Sequence, residues 1–167
     1  PYDKVRDKDA PASICLICEI AAWAKDQGKT LFDLLLDIYK EYGFQKETTI
    51  NVVKPGKSGA DEIKKMMEDF RATPPAEIAG SKVVTVKDYK TLKQVTNGVE
   101  TDLNMPTTSN VLQWFTEDGL KVSVRPSGTE PKIKFYCEVP VPGQFDGDYN
   151  AATAKADIRV EEVKKSL

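Results

Sequence analysis

Two different spacings of hydrophobic residues divide the chain, and they predict helices in its first part and alternating strands in the second. A nearly continuous apolar run extends from Ile14 to Ala24. A stripe with helical spacing follows, formed by Leu31, Leu34, Leu35, Ile38 and Tyr42. Thr30 and Asp33 have the spacing of a capping box at the start of the second helix. We therefore predict a helical hairpin over residues 1–43.

The apolar character of the first helix has two consequences. One partner helix cannot cover a helix that is apolar on nearly every side, so we expect the rest of its domain to lie upstream. Cys15 and Cys18 fall inside this helix. A redox pair needs an exposed, electropositive helix start, so we expect two buried thiols instead.

Residues 44–167 have the pattern of an α+β unit. A β-branched strand over 48–53 precedes a helix that Ser58 is expected to cap, with Asp61 in the box position. The core stripe of that helix is formed by Ile63, Met66, Met67 and Phe70. Further strands are predicted over 82–87, 111–116, 120–125 and 132–139, and a last helix over 151–167 with Ile158, Val160 and Val163 as its apolar residues.

Composition narrows the possible functions. The 167 residues carry a net charge of -2, which argues against general binding to nucleic acid or to an anionic membrane surface. Histidine is absent, so a Ser-His or Cys-His mechanism and a histidine-containing zinc site are excluded within this chain. The three cysteines and the absence of an apolar signal segment after Pro1 predict a cytoplasmic protein.

The segment from Val122 to Phe135 carries the candidate ligand-binding residues. Alternation places Arg125 and Lys134 on the polar faces of two successive strands, close to the loop that joins them. That loop offers two hydroxyls and a glycine whose backbone a ligand can approach, which are the groups that bind a phosphate dianion. A plain hairpin turn flanked by a solvated arginine fits the same residues equally well.

The motif Arg125-Pro-Ser-Gly-Thr-Glu-Pro-Lys132, continued by Ile-Lys-Phe-Tyr136, closely resembles the phosphate-binding loop in the last domain of phosphohexomutases. The segment 5–10 with the helix that follows resembles the end of the third domain of the same family. The resemblance implies that residues 1–43 are the C-terminal helices of an incomplete α/β third domain. It also implies that residues 44–167 are a fourth domain with a TATA-binding-protein-like fold, an antiparallel sheet with two helices.

The resemblance also assigns roles to individual residues. Arg125, Ser127, Gly128 and Thr129 are expected to bind the substrate phosphate, and Lys134 stands where relatives often have a second cation. Lys8 resembles a lysine that lies near the substrate in relatives. The family's phosphorylated serine loop, magnesium loop and sugar-recognition loop have no counterpart here, and we expect them upstream.

The activity that the resemblance implies is the interconversion of hexose 1-phosphate and hexose 6-phosphate through a bisphosphate intermediate. Mg²⁺, bound outside this chain, and hexose 1,6-bisphosphate are the implied cofactors, and the upstream domains are the implied partners. We expect no catalytic residue and no metal ligand within residues 1–167, so this chain alone is predicted to be inactive. The alternative is a non-catalytic phosphate- or phosphosugar-binding module.

Overall fold

The structure is a computed structural model that describes residues 8–56, 58–128 and 130–167. Its four helices are α1 (Ala10–Asp26), α2 (Leu31–Tyr42), α3 (Gly59–Ala72) and α4 (Tyr149–Ser166). Its strands are β1 (Gln45–Val53), β2 (Glu77–Ile78), β3 (Ser81–Asp88), β4 (Lys93–Thr96), β5 (Val99–Asp102), β6 (Leu112–Thr116), β7 (Lys121–Pro126) and β8 (Lys132–Pro140).

The strands form one antiparallel sheet with helices α3 and α4 on one face. The strand order is β1-β8-β7-β6-β3-β4-β5, and the short β2 pairs with β3. Ile63 and Met67 of α3, together with Val160 and Val163 of α4, pack against the buried side chains of the central strands. The α+β prediction, with an antiparallel sheet, two covering helices and a preceding helical hairpin, is confirmed.

Alternation along β7 and β8 separates a dry face from a polar face, as the sequence predicts. Val122 and Val124 are fully buried, and so are Ile133, Phe135 and Val139 on the neighbouring strand. The intervening residues point away from the helices and are half-buried or exposed. The segment from Arg125 to Lys134 therefore lies at the end of a strand pair whose inner face is buried.

The two helices of the hairpin differ from the predicted pattern of burial. Thr30 caps α2 through the expected capping box with Asp33. Leu31, Leu35, Ile38 and Tyr42 of the predicted stripe, however, remain more than a third exposed. The inward face of α2 is instead the one that carries Leu36 and Tyr39.

An aromatic cluster packs α2 against the α+β unit. The Tyr39 ring lies 4.6 Å from the Phe44 ring and 5.7 Å from the Phe145 ring, measured between centroids. Tyr149, at the start of α4, stacks edge-on with Phe44 at 5.7 Å. Phe44, buried at the junction between α2 and β1, is therefore the anchor of the hairpin.

The prediction of buried thiols in α1 is wrong for the structure described. Cys15 and Cys18 are both exposed, as are Ile14, Leu16, Ile17 and Trp23 on the same helix. Only Ala24 of α1 is fully buried, because α2 covers one side of the helix. Despite this apolar exposure, no helix in the described ranges has the length and hydropathy needed to cross a bilayer.

Two local expectations also fail, each for a local reason. Ser58 does not cap α3 through its side chain: its hydroxyl lies 3.1 Å from a Glu62 carboxylate oxygen instead. Ile158 of α4 is 67% exposed, because Val160 and Val163 take the inward positions. The hairpin β4–β5 was not predicted, because its strands have no buried alternation to reveal them.

Cysteine reactivity tests this distribution of burial. We expect two thiols per native chain to react with an aromatic disulfide reagent at neutral pH, and the third to react only after unfolding. Cys137 is 1% exposed, and burial raises the pKa of its thiol to about 11, so it offers little thiolate. Absorbance of the released thiolate, read before and after adding denaturant, counts the thiols that react in the native chain and those that react only after unfolding. Protection of Cys15 and Cys18 in the native chain would contradict the exposure of α1.

Candidate functional site

The pairing of β7 with β8 places two cations directly opposite each other. Arg125 and Lys134 are register partners in the antiparallel ladder. Their side chains share the polar face of the sheet, so their Cβ atoms are roughly 4.5–5.5 Å apart. Among the residues that the structure describes, neither side chain has a hydrogen bond or ion pair. Like charges in this arrangement repel, and a bound anion would relieve that repulsion.

The loop that joins the two strands is held by its own hydrogen bonds. The Ser127 N–H donates to the Lys132 carbonyl at 2.8 Å, and the Lys132 N–H donates to the Glu130 carbonyl at 2.7 Å. The Glu130 N–H donates to the Ser127 hydroxyl oxygen at 3.3 Å. Ser127 is therefore partly engaged within the loop and contributes to its shape.

A carboxylate next to the loop is matched by its own lysine. Lys132 Nζ lies 2.6 Å from Glu130 Oε2. The hydrogen bond and the charge of Lys132 lower the pKa of the Glu130 carboxyl, and the more distant charge of Lys134 adds to this effect. Glu130 is thus held as a carboxylate by Lys132, and Arg125 and Lys134 remain without a salt-bridge partner in the described part of the chain.

Gly128 lies in open space at the tip of the loop. A Cβ atom built at this position would meet nothing within 4 Å among the described residues, and the backbone is not in the left-handed region. Neither packing nor turn geometry therefore requires glycine here. Its value is that the adjacent backbone stays accessible to a ligand.

Of the predicted site residues, one lies outside the described part of the chain and one lies on another element. Thr129 lies outside the described residues. Lys8 is exposed and comes just before Asp9, the N-cap of α1, so it belongs to the hairpin and not to the strands that carry the loop. The structure brings together Arg125, Lys134 and the backbone of the loop.

A third strand extends the row of polar groups, which sequence reasoning missed. Asn51 of β1 is the register partner of Lys134 and is exposed on the same face. The row across the sheet is therefore Asn51, Lys134 and Arg125. An amide beside two cations adds a neutral donor for an anion or a hydroxyl ligand. Only the pairing of β1 with β8, strands far apart in sequence, reveals it.

On its other side the loop borders a cleft of about 600 Å³ beneath α3. Ser127 and Gly128 line this cleft, together with Lys64, Arg71 and Lys90. Arg71 is already engaged: its Nε lies 3.3 Å from Asp88, and its Nη2 donates to Asn110 Oδ1 at 2.6 Å. The cleft is therefore a mixed-charge groove behind the loop, while Arg125 and Lys134 lie on the sheet face.

The described side chains offer no cluster of metal ligands. Within the described ranges, no group of three or more histidine, cysteine, aspartate or glutamate residues could hold a metal ion. The residues present here do not fit a magnesium centre. What the described arrangement can do is bind an anion through charge and hydrogen bonds.

Comparison with known proteins identifies the family. The family model described as "Phosphoglucomutase/phosphomannomutase, C-terminal domain" matches residues 50–156, which include the whole loop. The phosphoglucomutase of Staphylococcus haemolyticus (strain JCSC1435) is 38% identical over 141 residues, 83% of this chain and 25% of that protein. The phosphoglucomutase of Staphylococcus aureus (strain bovine RF122 / ET3-1) is 40% identical over 144 residues, 85% of this chain and 26% of that protein. The chain thus spans about a quarter of the length of these curated relatives.

A solved structure supports the fold. The exocytosis-sensitive phosphoprotein pp63/parafusin, a phosphoglucomutase from Paramecium crystallised in its open form, matches with a TM-score of 0.56. The match covers 98% of this chain and 28% of that one at 18% identity, so it shows the fold alone. With the family match over residues 50–156, this leads to one conclusion: the chain belongs to the phosphoglucomutase/phosphomannomutase family and contains its C-terminal domain.

Proposed function

We propose that this chain binds the phosphate group of a hexose phosphate at the end of the β7–β8 strand pair. Arg125 supplies a planar fork of donors and Lys134 a second positive charge, while the loop supplies Ser127, the Gly128 backbone and Thr129. The observation that carries the proposal is the pair of opposed cations, which have no hydrogen-bond or salt-bridge partner among the described residues. Family membership supports a phosphorylated sugar as the source of the anion.

In the longer protein, the activity we propose is the interconversion of hexose 1-phosphate and hexose 6-phosphate through a bisphosphate intermediate. The contribution of the loop is positional: it holds one phosphate while the other end of the sugar reacts. Fixing the substrate in this way lowers the entropic part of the barrier. The hexose 1,6-bisphosphate carries two such groups, and the loop can hold either one.

The rest of the catalytic machinery is assigned to protein outside this chain. We assign the phosphoryl-transferring serine, the magnesium ion and the sugar-recognition loop to upstream domains, so the isolated chain is inactive. The division into residues 1–43 as the end of a third domain and 44–167 as a fourth is part of the same proposal. The exposed apolar face of α1 supports it, since further protein would cover that face. Lys8 would then lie near the substrate, and the whole enzyme would be cytoplasmic.

A ligand titration followed by NMR tests the phosphate site directly. We expect glucose 1-phosphate and inorganic phosphate to shift the amide signals of residues 125–134 saturably at millimolar concentration. Glucose should shift none of them, because the site recognises the anion. Absence of any shift with both phosphates would contradict the proposed function for this chain.

Removing the arginine should weaken this binding. Arg125→Ala is expected to cost roughly 1.5–3 kcal/mol, or about 10- to 150-fold in the dissociation constant, because a charged hydrogen-bond donor is lost. Lys121→Ala is the matched control, since Lys121 lies on the same face of β7 but is paired with Glu138 at 2.6 Å. Equal losses in both variants would show that only the general charge of the face matters.

Removing the opposite cation should separate binding from stability. Lys134→Gln relieves the repulsion with Arg125, so the unliganded chain should become more stable by roughly 0.2–1 kcal/mol. The same change should weaken phosphate binding, because one of two cations is lost. Urea unfolding without phosphate and the titration described above measure the two effects. A variant that is less stable without ligand would show that the pair is not strained.

A further inference from the structure

Gly59, the first residue of α3, lies where three backbone segments meet. It is buried among the end of β1, the start of the helix and the end of the phosphate loop. At this point the Lys54 N–H donates to the Pro131 carbonyl at 2.9 Å. The loop is thereby tied to the strand that precedes α3, a contact between residues 77 positions apart in sequence.

The contact leaves no room for a side chain at position 59. A Cβ atom there would lie 1.8 Å from the Lys54 carbonyl oxygen and 3.1 Å from the Pro131 Cβ. Both neighbours are rigid, one being backbone and the other a proline ring. The backbone of Gly59 is not in the left-handed region, so closeness alone requires the glycine. Gly56 contrasts with it: its φ is +96°, and a Cβ atom there would meet none of the described residues within 4 Å.

The position of Pro131 bears directly on the cation pair. Pro131 precedes Lys132, whose carbonyl accepts the Ser127 N–H that closes the loop. Lys134 follows two residues later, opposite Arg125. Moving Pro131 away from an added methyl group would displace the β8 side of the loop against the β7 side.

We propose that Gly59 is a positioning residue for the phosphate site. It acts through Lys54 and Pro131 by letting α3 approach closely enough to hold the loop backbone in place. This inference rests on the proposed function, because the geometry it maintains is that of the anion site. The start of α3, which is remote in sequence from the motif, thus controls the affinity of the site for phosphate.

The test compares Gly59→Ala with Val163→Ala in the full 167-residue chain. Val163 is fully buried on α4, so its truncation destabilises the core without touching Lys54 or Pro131. We expect Gly59→Ala to bind inorganic phosphate at least tenfold more weakly, and Val163→Ala to bind within twofold of the parent. Hydrogen exchange at the Lys54 amide should accelerate in Gly59→Ala beyond any change in global stability.

Each outcome decides the proposal. Unchanged phosphate affinity in a folded Gly59→Ala chain would overturn it and leave the proposed function intact. If that variant does not fold, Pro131→Gly takes its place, since it loosens the same contact without a clash. Full affinity in Pro131→Gly would also overturn the proposal.

If the parent chain binds neither inorganic phosphate nor glucose 1-phosphate, the proposed function fails. The amide shifts of residues 127–134 then decide the positioning role: unaltered shifts in Gly59→Ala refute it, and altered ones absent from Val163→Ala support it.

Discussion

The register of β7 against β8 is the constraint on which the candidate site depends. Because side chains alternate along a strand, one register buries Val122 and Val124 beside Phe135 and at the same time faces Arg125 with Lys134. A slip of one residue would expose the buried row and separate the two cations. Hydrophobic burial of the inner face thus maintains an electrostatic arrangement that would not form by itself.

The two faces of this strand pair make opposite contributions to stability. The inner face is apolar and packed under α3 and α4, and the loss of any of its side chains would leave a cavity. The outer face holds two like charges together, while the carboxylate of the neighbouring Glu130 forms a salt bridge with Lys132. A bound anion would compensate the charge of this pair through charge-assisted hydrogen bonds. Gly59 adds a second constraint, since its missing side chain lets α3 approach the loop.

The hairpin α1–α2 has a different relation to the rest of the chain. Phe44, Tyr39 and Phe145 attach α2 to the sheet unit through ring contacts. Helix α1 contacts α2 but leaves Ile14, Leu16 and Trp23 exposed. An apolar face of this kind is typical of an interface. The attachment of α2 and the exposure of α1 together fit a segment that connects the sheet unit to further protein.

Local pattern determined the parts of this molecule that depend on local rules. Period-two alternation revealed the buried faces of β7 and β8, and helical spacing revealed Ile63 and Met67 of α3, because each pattern follows from backbone geometry. The Pro-Ser-Gly-Thr motif was recognised by its resemblance to a family motif, because its residues are consecutive in the sequence. The hairpin β4–β5 was missed although its Asn97-Gly98 turn is a local signal: both residues have positive φ, as a two-residue hairpin requires. Tertiary structure alone decided which face of α2 is buried, that α1 is exposed, and that Asn51 joins the row of Arg125 and Lys134. It also decided that Gly59 meets Lys54 and Pro131, because contacts between distant segments depend on how elements pack and leave no periodic signal in the chain.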